Sequence, residues 1–253
     1  MKDVDARAMF ETASRVAKLA GERLCGIRER RVNSDLGNDV KLQEDVESEL
    51  FIRNLLAPTG IPVIGEERGG DIDLVFNGGL YWIVDPIDGT YNFLRGIPGV
   101  CVSVALMRGL EPVVGAIYDF TRGELFSGAG GIGLFVNGVR TEPAWARDIS
   151  QAVLMTGFPS ATDYSDAALA RFVLSAQKFK KVRMCGSACA AIAWVAAGRA
   201  DAYSESRLYL WDVAAGLSLI EGAGGAFELT PLGIEGKPLC VSIQAAAKRE
   251  YFV

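Results

Sequence analysis

The chain has 253 residues, half of them hydrophobic, with 26 basic and 31 acidic side chains, a formal net charge of -5 and no histidine. That length suits one large domain or two closely packed halves, and the missing imidazole excludes serine triads, histidine phosphatases and most zinc hydrolases. Lysines and arginines are dispersed through a mildly acidic chain, so nothing points to nucleic acid as a partner.

Two acids in Met1-Lys2-Asp3-Val4-Asp5-Ala6-Arg7 stand where a secretory signal would be basic, and no apolar run approaches the roughly 20 residues of a membrane span. From Val4 to Arg30, apolar residues at Met9, Phe10, Ala13, Val16, Ala17, Ala20, Leu24 and Ile27 follow one face of a helix. A second helix is expected from Glu44 or Asp45 to Pro58, with Asp45 in its first turn. Strands are expected at Ile61 to Gly65, Leu80 to Val84, Val100 to Met107, Pro112 to Tyr118, Glu124 to Ser127 and Gly133 to Val136, a meandering sheet. Asp71 to Val75, which imitates an aspartyl-phosphate motif, reads as a loop because it follows Arg68-Gly69-Gly70.

Beyond about residue 140 the pattern alternates: strand Ala152 to Thr156, helix Asp166 to Lys178, strand Val182 to Met184, helix Ala188 to Ala197, strand Ala202 to Ser204 and helix Asp212 to Glu221. A short glycine-rich segment is expected to close the chain. Five cysteines, Cys25, Cys101, Cys185, Cys189 and Cys240, are scattered without a framework, which fits a reducing compartment and a cytoplasmic location. Cys25 and Arg31 have the spacing of a cysteine phosphatase loop but lack its glycines. Cys185 and Cys189 read as small core residues.

The chemistry concentrates where Leu80-Tyr81-Trp82-Ile83-Val84 delivers Asp85 and Asp88 at a turn, with Pro86 between them disfavouring further strand pairing. Gly89-Thr90 then opens a segment whose free backbone N–H groups would suit a phosphate. Two acids beside an anion site require a cation, and oxygen ligands in a chain without histidine select Mg²⁺ or Mn²⁺ over zinc. Glu66, in Gly65-Glu66-Glu67, Asp212, at a helix start, and Asp45 complete a set of five acids from four segments.

Gly65-Glu66-Glu67, Trp82 to Phe93 and Trp211-Asp212-Val213-Ala214-Ala215-Gly216 resemble the three motifs of the inositol monophosphatase family, and the resemblance runs from the first helix to Gly225. It implies an α/β fold of layered helices and sheets shared with fructose 1,6-bisphosphatase, one domain over 1–253, a mostly antiparallel sheet from about 1–140 and a smaller mixed sheet from about 141–253. It also implies metal ligands Glu66, Asp85, the Ile87 carbonyl, Asp88 and Asp212 for two or three Mg²⁺ ions, with Mn²⁺ able to substitute. Thr90 and Glu66 would orient and deprotonate an attacking water, and Asp45 would help order metal-bound water. Asp88, Gly89, Thr90, Gly186, Ser187, Ala188 and Glu205 would contact a small phosphate monoester, most simply inositol monophosphate, and the family habit is a homodimer.

The chain departs from the family pattern in being short between Glu67 and Asp85, in carrying Tyr209 where some members have histidine, and in lacking the usual final helix. Fructose 1,6-bisphosphate is the main rival substrate, with Arg95 or Arg183 able to hold a second phosphate. Histidinol phosphate and a nucleotide 3'-phosphate are further options, and a regulatory binding protein on the same fold is the reading from another class. Glu205 has the weaker claim, since a glutamate just before Arg207 suits a solvated ion pair.

Overall fold

The computed structural model describes residues 5–36, 39–158 and 163–253, with nothing said of the side chains at 36 and 39. In chain order it contains α1 (Ala6–Leu24), β1 (Val32–Leu36), β2 (Asp39–Leu42), α2 (Gln43–Leu56), β3 (Val63–Gly65), α3 (Asp73–Phe76), β4 (Leu80–Asp88), α4 (Thr90–Arg95), β5 (Cys101–Arg108), β6 (Glu111–Asp119), β7 (Glu124–Ala129), β8 (Gly133–Val136) and β9 (Val139–Arg140). There follow β10 (Val153–Met155), α5 (Asp166–Ala176), β11 (Lys181–Arg183), α6 (Ala188–Ala196), β12 (Ala202–Tyr209), α7 (Leu210–Ala223), β13 (Ala226–Pro231) and β14 (Cys240–Ala246).

Beside the two-stranded sheet of β1 and β2, two larger sheets alternate in layers with the helix pairs α1/α2 and α6/α7. The first sheet, in the order β3-β4-β5-β6-β7-β8-β9, is antiparallel except where β3 runs parallel to β4. Its strands carry near-continuous apolar runs because both faces are covered. Trp82 and Val84 face a core shared with Phe10, Val16 and Ala20 of α1 and Ile52 of α2, while Tyr81 and Ile83 face α6 and α7 on the other side. The same helices pack against the second sheet, of order β11-β10-β12-β14-β13. Close approach fixes α7 on the first sheet: a Cβ on Gly115 would lie 2.5 Å from the carbonyl oxygen of Ala215, so only glycine fits beneath the helix.

Several elements differ from the sequence-based expectation. The first helix stops at Leu24 and not near Arg30, because Cys25 is extended and Gly26 turns with φ +88°; its expected start at Val4 lies outside the described residues. Asp71 to Val75 is not a plain loop: Asp71 accepts the Asp73 N–H at 3.2 Å and α3 begins there. The closing segment, expected only as a short glycine-rich stretch, forms two strands, with β14 between β12 and β13 in the second sheet. Its Cys240-Val241-Ser242-Ile243-Gln244-Ala245-Ala246 has too little bulk to announce a strand, but Ile243, Ala245 and Ala246 are fully buried there.

Candidate active site

Strand β4 does not end at Pro86. Asp85 is opposite Ser103 and Asp88 is opposite Cys101, so one extra residue on β4 forms a bulge. Proline is tolerated there because a bulged residue needs no ladder hydrogen bond. The bulge closes on itself: Asp85 Oδ1 accepts the Ile87 N–H at 3.0 Å, and Thr90 Oγ1 donates to the Ile87 carbonyl at 2.9 Å. Gly89 then takes φ +88°, and a Cβ there would lie 3.1 Å from the Gly99 carbonyl and 3.3 Å from that of Gly186. The turn into α4 therefore depends on glycine twice, for its dihedral angle and for its contacts.

Asp45 and Asp212 are built alike. Each is the third residue of its helix, and its Oδ2 accepts the backbone N–H three residues earlier, that of Leu42 or Tyr209, at 2.7 Å. That one bond aims both carboxylates back out of the helix start, toward β4. Glu66 follows the last residue of β3, which places it beside Asp85 because β3 and β4 run parallel in register.

The acids converge closely enough to alter one another. Burial pushes the Asp85 carboxyl well above the usual carboxylate range, and the charges of Glu66, Asp88, Asp212 and Asp45 push it further. Burial does the same to Asp212, with Asp88 and Glu66 adding to it. Asp45 is raised to about 7, chiefly by burial. Asp88 is also raised by burial, opposed by the Ser187 hydroxyl and the Cys189 N–H, which donate to its Oδ2 at 2.5 and 2.7 Å. A cation stands beside them on β2: Lys41 Nζ lies 2.7 Å from Glu67 and 3.7 Å from Glu66.

Such a set is costly as it stands, because four ionised carboxylates cannot share a buried site. Their donors are oxygens, and Asp85 and Asp88 each bring one within 4.8 Å of the other and of the Cys189 sulfur. This donor chemistry fits a hard divalent cation, whose charge would remove the mutual repulsion.

A cavity of about 250 Å³ opens beside the acids, lined by residues of both sheets including Asp88, Gly157, Ser187, Glu205, Leu208 and Asp212. The structure brings Gly186, Ser187 and Ala188 to its wall as the cap and first turn of α6. Glu205 is half-buried and accepts the Tyr203 hydroxyl at 2.8 Å, which holds its carboxylate in the cavity wall. Burial raises its carboxyl to about 7. Arg95 and Arg183 do not line this cavity. A neighbouring groove of about 430 Å³, which shares Thr156, Gly157, Phe158 and Glu205 with it, is lined by Arg171 and Arg207. Tyr209 stacks on Trp211 at 4.7 Å and is absent from both linings.

Four residues close to this site were not legible as part of it. Glu49, one turn after Asp45, is fully buried and accepts the N–H groups of Glu67 and Arg68 at 2.7 and 3.2 Å. Its spacing from Asp45 was the available signal. Lys41 and Tyr203 carried none, and Cys189 was read as core, which its burial supports but its neighbours outgrow.

Layered sheets meet here at a buried acid cluster beside a polar cavity, an arrangement that suits metal-assisted hydrolysis of a phosphate ester. The chain belongs to the inositol monophosphatase family, whose model matches residues 5–245. It is 35% identical over 224 residues to an inositol-1-monophosphatase of Caulobacter vibrioides, covering 86% of each chain. It is 40% identical to the Nus factor SuhB of Xylella fastidiosa over 164 residues, which are 64% of this chain and 58% of that protein's length. The solved inositol monophosphatase of Anabaena superposes with a TM-score of 0.79 at 28% identity, covering 98% of this chain and 94% of its own. An inositol monophosphate-bound SaIMPase-II matches with a TM-score of 0.77 at 26% identity, covering 96% and 89%.

Proposed function

We propose that this chain is a Mg²⁺-dependent phosphomonoesterase acting on a small polyol or sugar phosphate, inositol monophosphate first. The observation that carries this reading is the convergence of Asp45, Glu66, Asp85, Asp88 and Asp212 on one point beside a polar cavity. Glu66, Asp85, the Ile87 carbonyl, Asp88 and Asp212 would hold two or three Mg²⁺ ions, with Mn²⁺ as a substitute. When bound, such ions acidify water and neutralise charge on the attacking and leaving oxygens.

The protein's own groups do the rest. Thr90 Oγ1 already donates its proton to Ile87, so its lone pairs are left to accept from the attacking water while the Glu66 carboxylate takes the other proton. Asp45 orders the surrounding water. Water attacks phosphorus in line, the ester P–O bond breaks and the leaving oxygen takes a proton from solvent to depart as the alcohol, with no covalent enzyme intermediate. The first N–H groups of α4, at Gly89 and Thr90, precede its first internal hydrogen bond, from Phe93 to Gly89 at 2.9 Å, and would hold the phosphate. Asp88, Gly186, Ser187, Ala188 and Glu205 would receive the substrate's hydroxyls.

The groove with Arg171 and Arg207 favours one second reading, a substrate carrying a further anionic group such as fructose 1,6-bisphosphate. The relatives named Nus factor SuhB support an additional binding role. We further propose one domain over residues 1–253, a cytoplasmic location and a homodimer that covers Tyr164, Val173 and Leu174, all more than half exposed. Among the described residues no helix is long and apolar enough to cross a membrane. Phosphate release from inositol 1-phosphate and fructose 1,6-bisphosphate, with and without Mg²⁺, tests the proposal; no release from either by folded protein would overturn it.

A further inference from the structure

The first turn of α6 places a thiol among the carboxylates. Cys189 is fully buried, its N–H donates to Asp88 Oδ2 at 2.7 Å, and its Sγ donates to the carbonyl of Asp212 at 3.1 Å. The side chain is thus pinned between the two acid-bearing segments. Its sulfur and one oxygen each of Asp85 and Asp88 all lie within 4.8 Å of one another. Donors around one tetrahedral ion, at metal–ligand distances of about 2.0–2.3 Å, lie roughly 3.5 Å apart. Small side-chain rotations would close the set.

We propose that Cys189 gives this site a sulfur ligand, so that it captures a thiophilic divalent cation, zinc or cadmium, with Asp85 and Asp88 as the oxygen ligands. This deepens the metal-site reading above and rests on it only for the identity of the two carboxylates. Magnesium is hard and does not take thiolate, so with Mg²⁺ bound the thiol remains protonated and a spectator. A zinc or cadmium ion displaces the proton: the S–H bond breaks, the sulfur lone pair forms the metal bond, and one proton passes to solvent for each ion bound. The consequence is a site selective by ligand softness, in which trace zinc outcompetes magnesium and occupies the carboxylates needed for phosphate transfer.

The test uses the full chain in a Cys25→Ala background, which removes the exposed thiol, after treatment with a chelator. Cadmium is titrated while the ultraviolet thiolate-to-cadmium charge-transfer band is recorded, and zinc affinity is measured by competition with a chromophoric chelator. The expected result is a band that saturates at one ion per chain, persists in Cys185→Ala and disappears in Cys189→Ala. Zinc affinity should fall on the order of tenfold or more in Cys189→Ala and in Asp85→Asn. Cys189→Ser, which preserves size and fold, should behave as Cys189→Ala does. A band that survives both Cys189 variants, or no band in the folded parent, would overturn the proposal. If the band appears as expected but Mg²⁺ supports no phosphate release, the thiol site stands and the phosphatase reading falls.

Discussion

The carboxylate of Glu49 fills the space that a side chain on residue 65 would need: a Cβ on Gly65 would lie 2.5 Å from its carboxyl carbon. Glu49 also ties Arg53 at 2.7 Å and the Glu67 and Arg68 N–H groups, so one buried acid on α2 sets the path of the chain through Glu66. Glu49→Gln is expected to lower Mg²⁺ affinity by about 10- to 100-fold, the usual cost of losing a group that orients a ligand. Glu49→Ala should also lose about 3 kcal/mol or more of stability, because Arg53 loses its buried partner. Titrations of Mg²⁺ against phosphate release and thermal melts check both. Unchanged Mg²⁺ dependence in Glu49→Gln would contradict the positioning role.

Ser187 has two bonds to lose. Its hydroxyl donates to Asp88 and accepts the Ala190 N–H at 3.1 Å as the cap of α6. Ser187→Ala should cost about 1 kcal/mol of stability through the cap, and should raise KM for the polyol phosphate more than it lowers kcat. Ser187→Thr should restore the cap and most of the affinity. A melting temperature equal to the parent's would show that the cap carries no stability.

The pH dependence of stability should be weaker with metal than without it. Asp45 and Glu205 have ordinary values of 3.8 and 4.5 but are raised to about 7 in the folded chain. A carboxyl raised on folding holds its proton more tightly in the native state, so stability is fully present below the ordinary carboxylate range and declines as pH rises toward 7. The metal-free protein should therefore melt at a higher temperature near about pH 5 than near about pH 8. Mg²⁺ binds the ionised carboxylates, so its stabilising shift should be larger at the higher pH. A metal-free melting temperature that rises between those values would contradict this account.

Under the proposed function, Glu205 would serve substrate recognition and not the chemical step. Glu205→Gln keeps an acceptor for the Tyr203 hydroxyl and removes a charge that burial already disfavours. It should leave stability within about 1 kcal/mol, while lowering kcat/KM for inositol 1-phosphate severalfold. Arg171→Ala and Arg207→Ala should weaken only a substrate with a second anionic group. Equal losses on mono- and bisphosphates would remove the groove from the substrate's path.

The layered fold and the acid cluster were legible because their signals are local. Asp85-Pro86-Ile87-Asp88-Gly89-Thr90 carries the bulge, the left-handed glycine and the helix start within one short stretch, and α1 keeps an apolar face at helical spacing. What escaped depends on tertiary contact. The antiparallel pair β1 and β2 and the strand β14 are stabilised by pairing more than by composition. Pro86 read as a strand breaker because the bulge that excuses it is defined by the register against β5. Lys41 and Cys189 acquire their roles only when distant segments meet, and no spacing along the chain reports that; for Glu49 the one local signal is its spacing of one helical turn from Asp45.

The most direct measurement is phosphate release from inositol 1-phosphate by the parent and by Asp88→Asn, each with and without Mg²⁺, on protein shown to be folded. Turnover in the parent should require Mg²⁺ and should fall about a thousandfold or more in Asp88→Asn, since the variant removes a charge needed at the reacting centre. Release that is independent of the metal, or that survives in Asp88→Asn at the parent's rate, would contradict this mechanism.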